Sequence, residues 1–412
     1  MFNHSRYPVR SATAASAASA GLLLLLVTAL FPVFNSVAAS DLKTAAAQNS
    51  TPIPVFTETV IKRILAHGPW PPVMPADPGN ELSGLAWAES IGKKLFNDNA
   101  MSDGRQFSCA SCHKAELGFS DGIALAQGVR QHVRNTQGLL NVGLQRWFGW
   151  DGGADSLWAA TLRPLLSDIE MNADIPTVAQ YLRSQNIFST IPGRSGSDQT
   201  VADINDEALL VLASKAIAAY MRTLRSEVTP FDLFRNALAE SNNAAPGQYP
   251  ISAMRGAKLF FDEANCYVCH FGANFSNSEF HDVGRPFFTG VGQVDPGRYT
   301  GIKRVREDPY NLVGQYNTQR LSGPVRKTTS ITLSQINFGQ WRTPSLRNLT
   351  LTAPYMHDGS LATLRDVVDA YADIDPARLH SKGESIIKPL ALDDNQREDL
   401  VAFLRSLSAA DK

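Results

Sequence analysis

Apolar positions along this chain cluster in helical rather than strand-like patterns. Near the C-terminus Leu400, Phe403, Leu404 and Leu407 recur at a spacing of three and four, which places them on one face of a helix expected over about 394–407. Asp393 and Asp394 at its start favour the positive end of the helix dipole. An earlier segment, about 207–225, reads the same way. It carries AYMRTL at 219–224, where the later one carries AFLRSL at 402–407. A second echo precedes each of these: GKKLF at 92–96 and GAKLF at 256–260. The chain thus contains one unit twice, each copy opening and closing with a helix. No sustained period-two alternation calls for a large sheet. The stretches between are rich in Gly, Pro, Asn and Asp and read as loops with room for short strands. The expectation is a mainly α, loop-rich protein of two related, packed domains, residues 85–238 and 239–412, divided by the polar stretch near Ala239 to Tyr249.

The N-terminal pattern is different. Gly21 to Phe34 is an apolar run of about 14 residues rich in leucine, preceded by Arg6 and Arg10 and followed by Val37, Ala38 and Ala39. A basic leader, an apolar core and small residues before Ser40 form a secretory signal over 1–39, and the run is short of the roughly 20 residues that span a bilayer. The expected mature protein is periplasmic, with no stable membrane insertion after cleavage. Residues 40–84 read as an arm, extended around the first domain, because the prolines at 69, 71 and 72 flanking Trp70 forbid regular helix there.

A net charge of −1 gives no basic field for nucleic acid. The four cysteines of the 412 residues fall in two tight pairs, Cys109/Cys112 and Cys266/Cys269, so scattered disulfide staples are a poor reading. Each pair is followed directly by histidine, His113 and His270, completing C-x-x-C-H. Two thiols on one helical turn can add to the two vinyl groups of one haem, and the adjacent imidazole then meets the iron. Zinc would want four protein ligands close together, and a redox dithiol needs no histidine after both pairs. Two such motifs on a duplicated scaffold point to two covalently bound haem c groups. What occupies the far side of each iron then separates electron transfer from chemistry with peroxide.

Several further segments carry a resemblance: Asn135 with Thr136, WDGG from Trp150, PLLSDIE from Pro164 to Glu170, and TPSLRNLTLTAPYMHDG over 343–359. Together, over roughly 85–410, the chain resembles the bacterial di-haem cytochrome c peroxidase and MauG superfamily. The resemblance implies that hydrogen peroxide binds at the haem on His113, with Pro164 and Glu170 lining its pocket and Glu170 as general acid/base. It implies that Trp150 couples the two haems, and that Asn135 with backbone oxygens of Thr352 and Pro354 holds calcium. Where the family usually has a glutamine this chain has Ala160, and Gln127 stands where the classical peroxidases carry a removable histidine ligand. His132 reads as a loop position. Tyr371, fourteen residues after His357, stands where classical members place a ligating methionine. Tyrosine there is the mark of the MauG-like branch, and an anionic oxygen ligand favours ferric and higher states. Periodicity alone would make Tyr371 a core residue of the helix carrying Val367, Val368 and Ala370, and Met356 is a rival ligand. His281 reads as structural or propionate-contacting. The segment from Gly297 to Leu312 lies nearer the MbnH-like type within that branch. The implied activity is peroxide-driven oxidation of a partner protein, at tryptophan, by long-range electron transfer. The alternative is a periplasmic cytochrome c peroxidase fed electrons by a small redox protein. A pure electron carrier would need both irons capped on both faces.

Overall fold

The computed structural model describes residues 53–409 apart from 78, 189–203, 242–247, 319–322, 376 and 378–386; the expected signal over 1–39 lies outside the described residues. The described chain is mainly helical. Its helices are α1 (Glu58–Leu65), α2 (Ala86–Phe96), α3 (Cys109–Cys112), α4 (Leu157–Leu166), α5 (Ile175–Ser184), α6 (Asp206–Met221), α7 (Pro230–Glu240), α8 (Ile251–Phe261), α9 (Arg298–Glu307), α10 (Gly323–Thr329), α11 (Leu364–Ala372) and α12 (Asp394–Arg405). The strands are β1 (Phe280–His281), β2 (Phe288–Gly290), β3 (Gln293–Val294) and β4 (Trp341–Arg342), paired antiparallel as β1 with β4 and β2 with β3. None of the described helices is long and apolar enough to cross a membrane.

The sequence echo is a packing echo. α2 crosses α6 so closely that a Cβ on Gly92 would lie 2.0 Å from the carbonyl oxygen of Ala216. α8 crosses α12 in the same way, and a Cβ on Gly256 would lie 1.9 Å from the carbonyl oxygen of Asp399. Only glycine permits backbones to approach so far, which is why both GKKLF and GAKLF begin with it. Each crossing anchors its own apolar cluster. The first gathers Leu95, Phe96, Trp158, Leu162 and Ile217, and the second Phe260, Phe261, Phe275, Leu400 and Phe403.

α6 is capped by the Asn205 side chain, which accepts from the Ala208 amide, and α12 by a reciprocal box between Asp393 and Gln396. Both helices end a few residues before the expected limits, at Met221 and Arg405, because tight turns close them.

The arm departs from expectation. It is not wholly extended and does not wrap the first repeat alone. Its first part is α1, capped by Thr57, whose Val60 and Ile64 are fully buried in the second cluster. Spacing of four puts these two on one face, and that apolar stripe needs a partner. The later part does reach the first repeat: Asn80 donates to the Lys215 carbonyl at 2.9 Å, and Arg222 donates to the carbonyl of Pro75.

Candidate functional site

At the first cysteine pair, α3 is a single turn whose Ser108 and Ser111 cap each other's backbone. That turn presents Cys109 and Cys112 on neighbouring rungs with His113 directly after. The His113 Nδ1 lies 2.8 Å from the Phe119 carbonyl oxygen. Gly118 (φ 61°) and Phe119 (φ 62°) are both left-handed, a turn that swings this carbonyl back to the ring. Burial holds the imidazole neutral by lowering its pKa. With the proton committed to Nδ1, Nε2 keeps a lone pair for a metal. Burial also pushes the thiols up, Cys109 to about 12 and Cys112 to about 11.

The second pair repeats this arrangement. Asn265 (φ 55°) turns the chain into a short 3-10 turn over Cys266–Val268. His270 Nδ1 lies 3.0 Å from the carbonyl oxygen of Phe275, itself left-handed at φ 50°. Burial lowers His270 to about 4 and raises Cys266 to about 12.

These features decide between the readings of the motif. A redox dithiol works through thiolate, which burial disfavours here. Among the described residues no group of three or more His, Cys, Asp and Glu side chains is placed to hold a metal ion such as zinc. Two thiols one turn apart and a neutral imidazole whose Nδ1 faces a backbone carbonyl fit a haem attached by thioethers, at both places.

Cys109, Cys112 and His113 line a cleft, and so do Asn135, Trp150, Ala160, Pro164 and Glu170. Pro164 lies inside α4, where its missing N–H frees the backbone rung, while its carbonyl accepts from Met171. That bond and one from the Asn172 amide to the Ser167 carbonyl fold the chain back so that Glu170 returns to the cleft. Burial raises the Glu170 pKa, and the cations Arg163, Arg304 and Arg134 only partly offset it. His132 lies in a loop, as expected, but it too lines the cleft, with Nε2 3.8 Å from the Glu170 carboxylate. Sequence reasoning missed this pairing, since 38 residues separate the two and no periodicity links them.

At the second motif the neighbour is Tyr371, on the last turn of α11. Its hydroxyl pKa is raised first by burial and next by the adjacent Cys266 and Cys269 thiols. Met356 sits in a left-handed turn (φ 72°) just before His357. His281 contacts Asn277 at 3.2 Å, and the Asn277 amide donates to the Cys269 carbonyl at 3.0 Å, so His281 stands one residue away from the motif.

Trp150 and Asn135 connect the halves. The Trp150 indole N–H donates to the Asn135 carbonyl at 2.9 Å, and the Asn135 amide donates to the His357 carbonyl at 2.8 Å. The Trp150 carbonyl accepts from Arg342 at 2.9 Å, on the β4 strand that pairs with Phe280 and His281. Below this runs a buried charge cluster that sequence reading also missed. Asp151 meets Arg134 at 2.8 Å and Arg304 at 2.7 Å, while Arg134 also bridges to Asp295 at 2.6 Å. Thr352 lies against the first-site loop, its methyl 3.1 Å from where a Cβ on Gly118 would stand, with Pro354 two residues on.

Comparison with known proteins agrees with this geometry. Residues 87–240 match the family CCP_MauG, described as di-haem cytochrome c peroxidase. The chain is 31% identical over 322 residues to the methylamine utilization protein MauG of Methylorubrum extorquens, covering 78% of each chain. It is 31% identical over 358 residues to the cytochrome-c peroxidase IdrP1 of a Pseudomonas species, covering 84% of this chain and 87% of that one. A crystal structure of a MauG-like protein associated with microbial copper homeostasis superposes with a TM-score of 0.58 at 25% identity, over 83% of this chain and 96% of that one. A haem-type thiol and imidazole arrangement made twice, and similarity at this level over most of the chain, make this protein an oxidoreductase of the di-haem cytochrome c peroxidase and MauG family, whose members carry haem c.

Proposed function

We propose that this enzyme uses hydrogen peroxide to oxidise a partner protein, at tryptophan, by long-range electron transfer. The observation that carries the reading is the cleft at the first motif, where His132 and Glu170 stand 3.8 Å apart; the burial of Tyr371 within electrostatic reach of the second cysteine pair supports it. In this reading the chain divides into a first haem domain, 85–238, and a second, 239–412. Cys109, Cys112 and His113 hold one haem c, and Cys266, Cys269, His270 and Tyr371 hold and cap the other. Bound haem iron supplies the two-electron chemistry with peroxide. Pro164 shapes the pocket, and Glu170 takes a proton from one peroxide oxygen and returns it to the other. Trp150, with its N–H fixed on Asn135, provides the aromatic path between the sites. As a ligand to a haem held there, an anionic Tyr371 oxygen would favour the ferric and higher states, which would suit storing an oxidising equivalent and not relay at cytochrome potentials. Asn135 with backbone oxygens of Thr352 and Pro354 forms the calcium site, an oxygen-only set of the kind that ion takes. Export by the 1–39 signal places the enzyme in the periplasm.

The name of the Pseudomonas relative favours a second reading, a periplasmic cytochrome c peroxidase that reduces peroxide with electrons from a small redox protein. Low-temperature EPR of the ferric holoprotein separates the two. One high-spin and one low-spin signal, the latter altered in Tyr371→Phe, supports the proposal. Two low-spin signals indifferent to that substitution would sink it and leave the peroxidase reading.

A further inference from the structure

The buried imidazole of His67 has no part in the chemistry above. It closes α1, in the arm that precedes the duplicated unit, and is fully shielded from solvent. Its Nδ1 lies 2.7 Å from the carbonyl oxygen of Arg63 in α1, and its Nε2 lies 3.0 Å from that of His270; burial keeps the ring neutral, so it donates to one of the two. Three phenylalanine rings cage it: Phe261 at 4.8 Å, Phe275 at 4.9 Å and Phe271 at 5.5 Å between centroids. Phe275 is the residue whose carbonyl accepts from His270 Nδ1. Thus one imidazole touches both the backbone of the second-site histidine and the residue that orients its ring. The same helix grips the motif again through Arg63, whose guanidinium lies 4.4 Å from the centre of the Tyr267 ring, between the two cysteines. The arm occurs once in the chain, so the duplication alone does not supply this clamp.

We infer that His67 is a positioning residue for the second haem, holding His270 and its Phe275 acceptor in register through the His270 carbonyl. This rests on the proposed haem at Cys266, Cys269 and His270. A short Nδ1–H···O=C bond makes an imidazole a more basic ligand and so favours ferric iron. Loosening the clamp lets that bond lengthen, and the reduction potential of the second haem rises.

The test is a potentiometric titration of the holoprotein, following each haem by its own absorption and EPR signal. His67→Asn places an amide where Nδ1 stands and cannot reach His270, whereas His67→Gln places one near Nε2. The expected result for His67→Asn is a rise in the second midpoint of about 59 mV, a tenfold change in the ferric-to-ferrous ratio, with the first midpoint unmoved. His67→Gln restores the wild-type value. Should His67→Asn not accumulate, Phe271→Ala opens one wall of the cage at a half-exposed position and shifts the same midpoint upward. A lower melting temperature with both midpoints unchanged overturns the inference, because His67 would then be core packing only. Equal shifts in the Gln and Asn variants overturn it too, since the His270 carbonyl would not be the contact that matters. A wild-type chain with no haem at Cys266 and Cys269 would instead fail the underlying reading, and mass spectrometry registers that separately.

Discussion

His132 and Glu170 face each other across the first cleft, with imidazole Nε2 3.8 Å from a carboxylate oxygen. The Arg134 amide donates to His132 Nδ1 at 2.9 Å, so the proton of the neutral ring sits on Nε2, toward Glu170. Burial lowers His132 to about 4 and raises Glu170 above its ordinary 4.5. Near neutral pH the two are therefore not an ion pair. They are a neutral donor beside a carboxyl group whose proton is held more tightly than usual.

This arrangement predicts a pH profile. To act as a base on peroxide Glu170 must be ionised, so the rate is lost as pH falls through its folded-state pKa. Because that pKa is raised, the acid limb lies above 4.5. Stopped-flow mixing of holoprotein with peroxide across pH reads it directly. Glu170→Gln should slow the reaction about 10²–10⁴-fold while leaving cyanide binding at the first iron intact. A full rate in that variant would remove Glu170 from the chemistry.

Trp150 is predicted to matter for spread and not for the first encounter. Trp150→Phe keeps an aromatic ring but loses the N–H that donates to Asn135. The peroxide reaction at the first iron should keep its rate, whereas oxidation reaching the second iron or a partner protein should slow. Rapid-freeze EPR distinguishes the two stages. Equal slowing of both would mean that the substitution had disturbed the cleft that Trp150 lines.

Much of this was legible in the chain. The cysteine pairs were visible because covalent haem attachment fixes both spacing and residue type. The duplication was visible because Gly92 and Gly256 each permit a backbone contact that no other residue allows. Tyr371 was singled out by its distance from His357, and it is buried near the end of α11. What stayed hidden depends on long-range approach. His132 meets Glu170 only because the chain after α4 folds back, and Asp151 meets cations drawn from three distant segments. The packing of α1 on the second cluster was misread although Thr57, Val60 and Ile64 announced a capped amphipathic turn, because the prolines after it dominated the reading.

The two interhelical glycines give a stability test that needs no assay. In each case the obstacle to a methyl group is a backbone carbonyl, at 2.0 Å for Gly92 and 1.9 Å for Gly256, and neither can swing aside as a side chain would. Gly92→Ala and Gly256→Ala should each destabilise by about 1–3 kcal/mol or more through overpacking, despite the better helix propensity of alanine. Thermal unfolding of the holoprotein measures this. A neutral or stabilising effect would show that the helices can separate without cost, against the packing described.

Asp151 offers the sharpest electrostatic test. It is fully buried, and burial alone would raise its pKa, but Arg134, Arg163 and Arg304 overcome that and hold the carboxyl far below the ordinary 3.8. A folded-state pKa depressed in this way contributes stability that is complete above the unfolded value. That contribution is lost progressively as pH falls from the unfolded value toward the folded one. Asp151→Asn leaves buried guanidinium groups without their counter-charge and should cost about 3–5 kcal/mol near neutral pH. The gap between wild type and variant should hold down to about pH 4 and narrow only below it, in denaturant titrations at a series of pH values. A gap that stayed constant below pH 4 would mean that the folded and unfolded carboxyls titrate alike and that the three arginines do not hold Asp151 ionised.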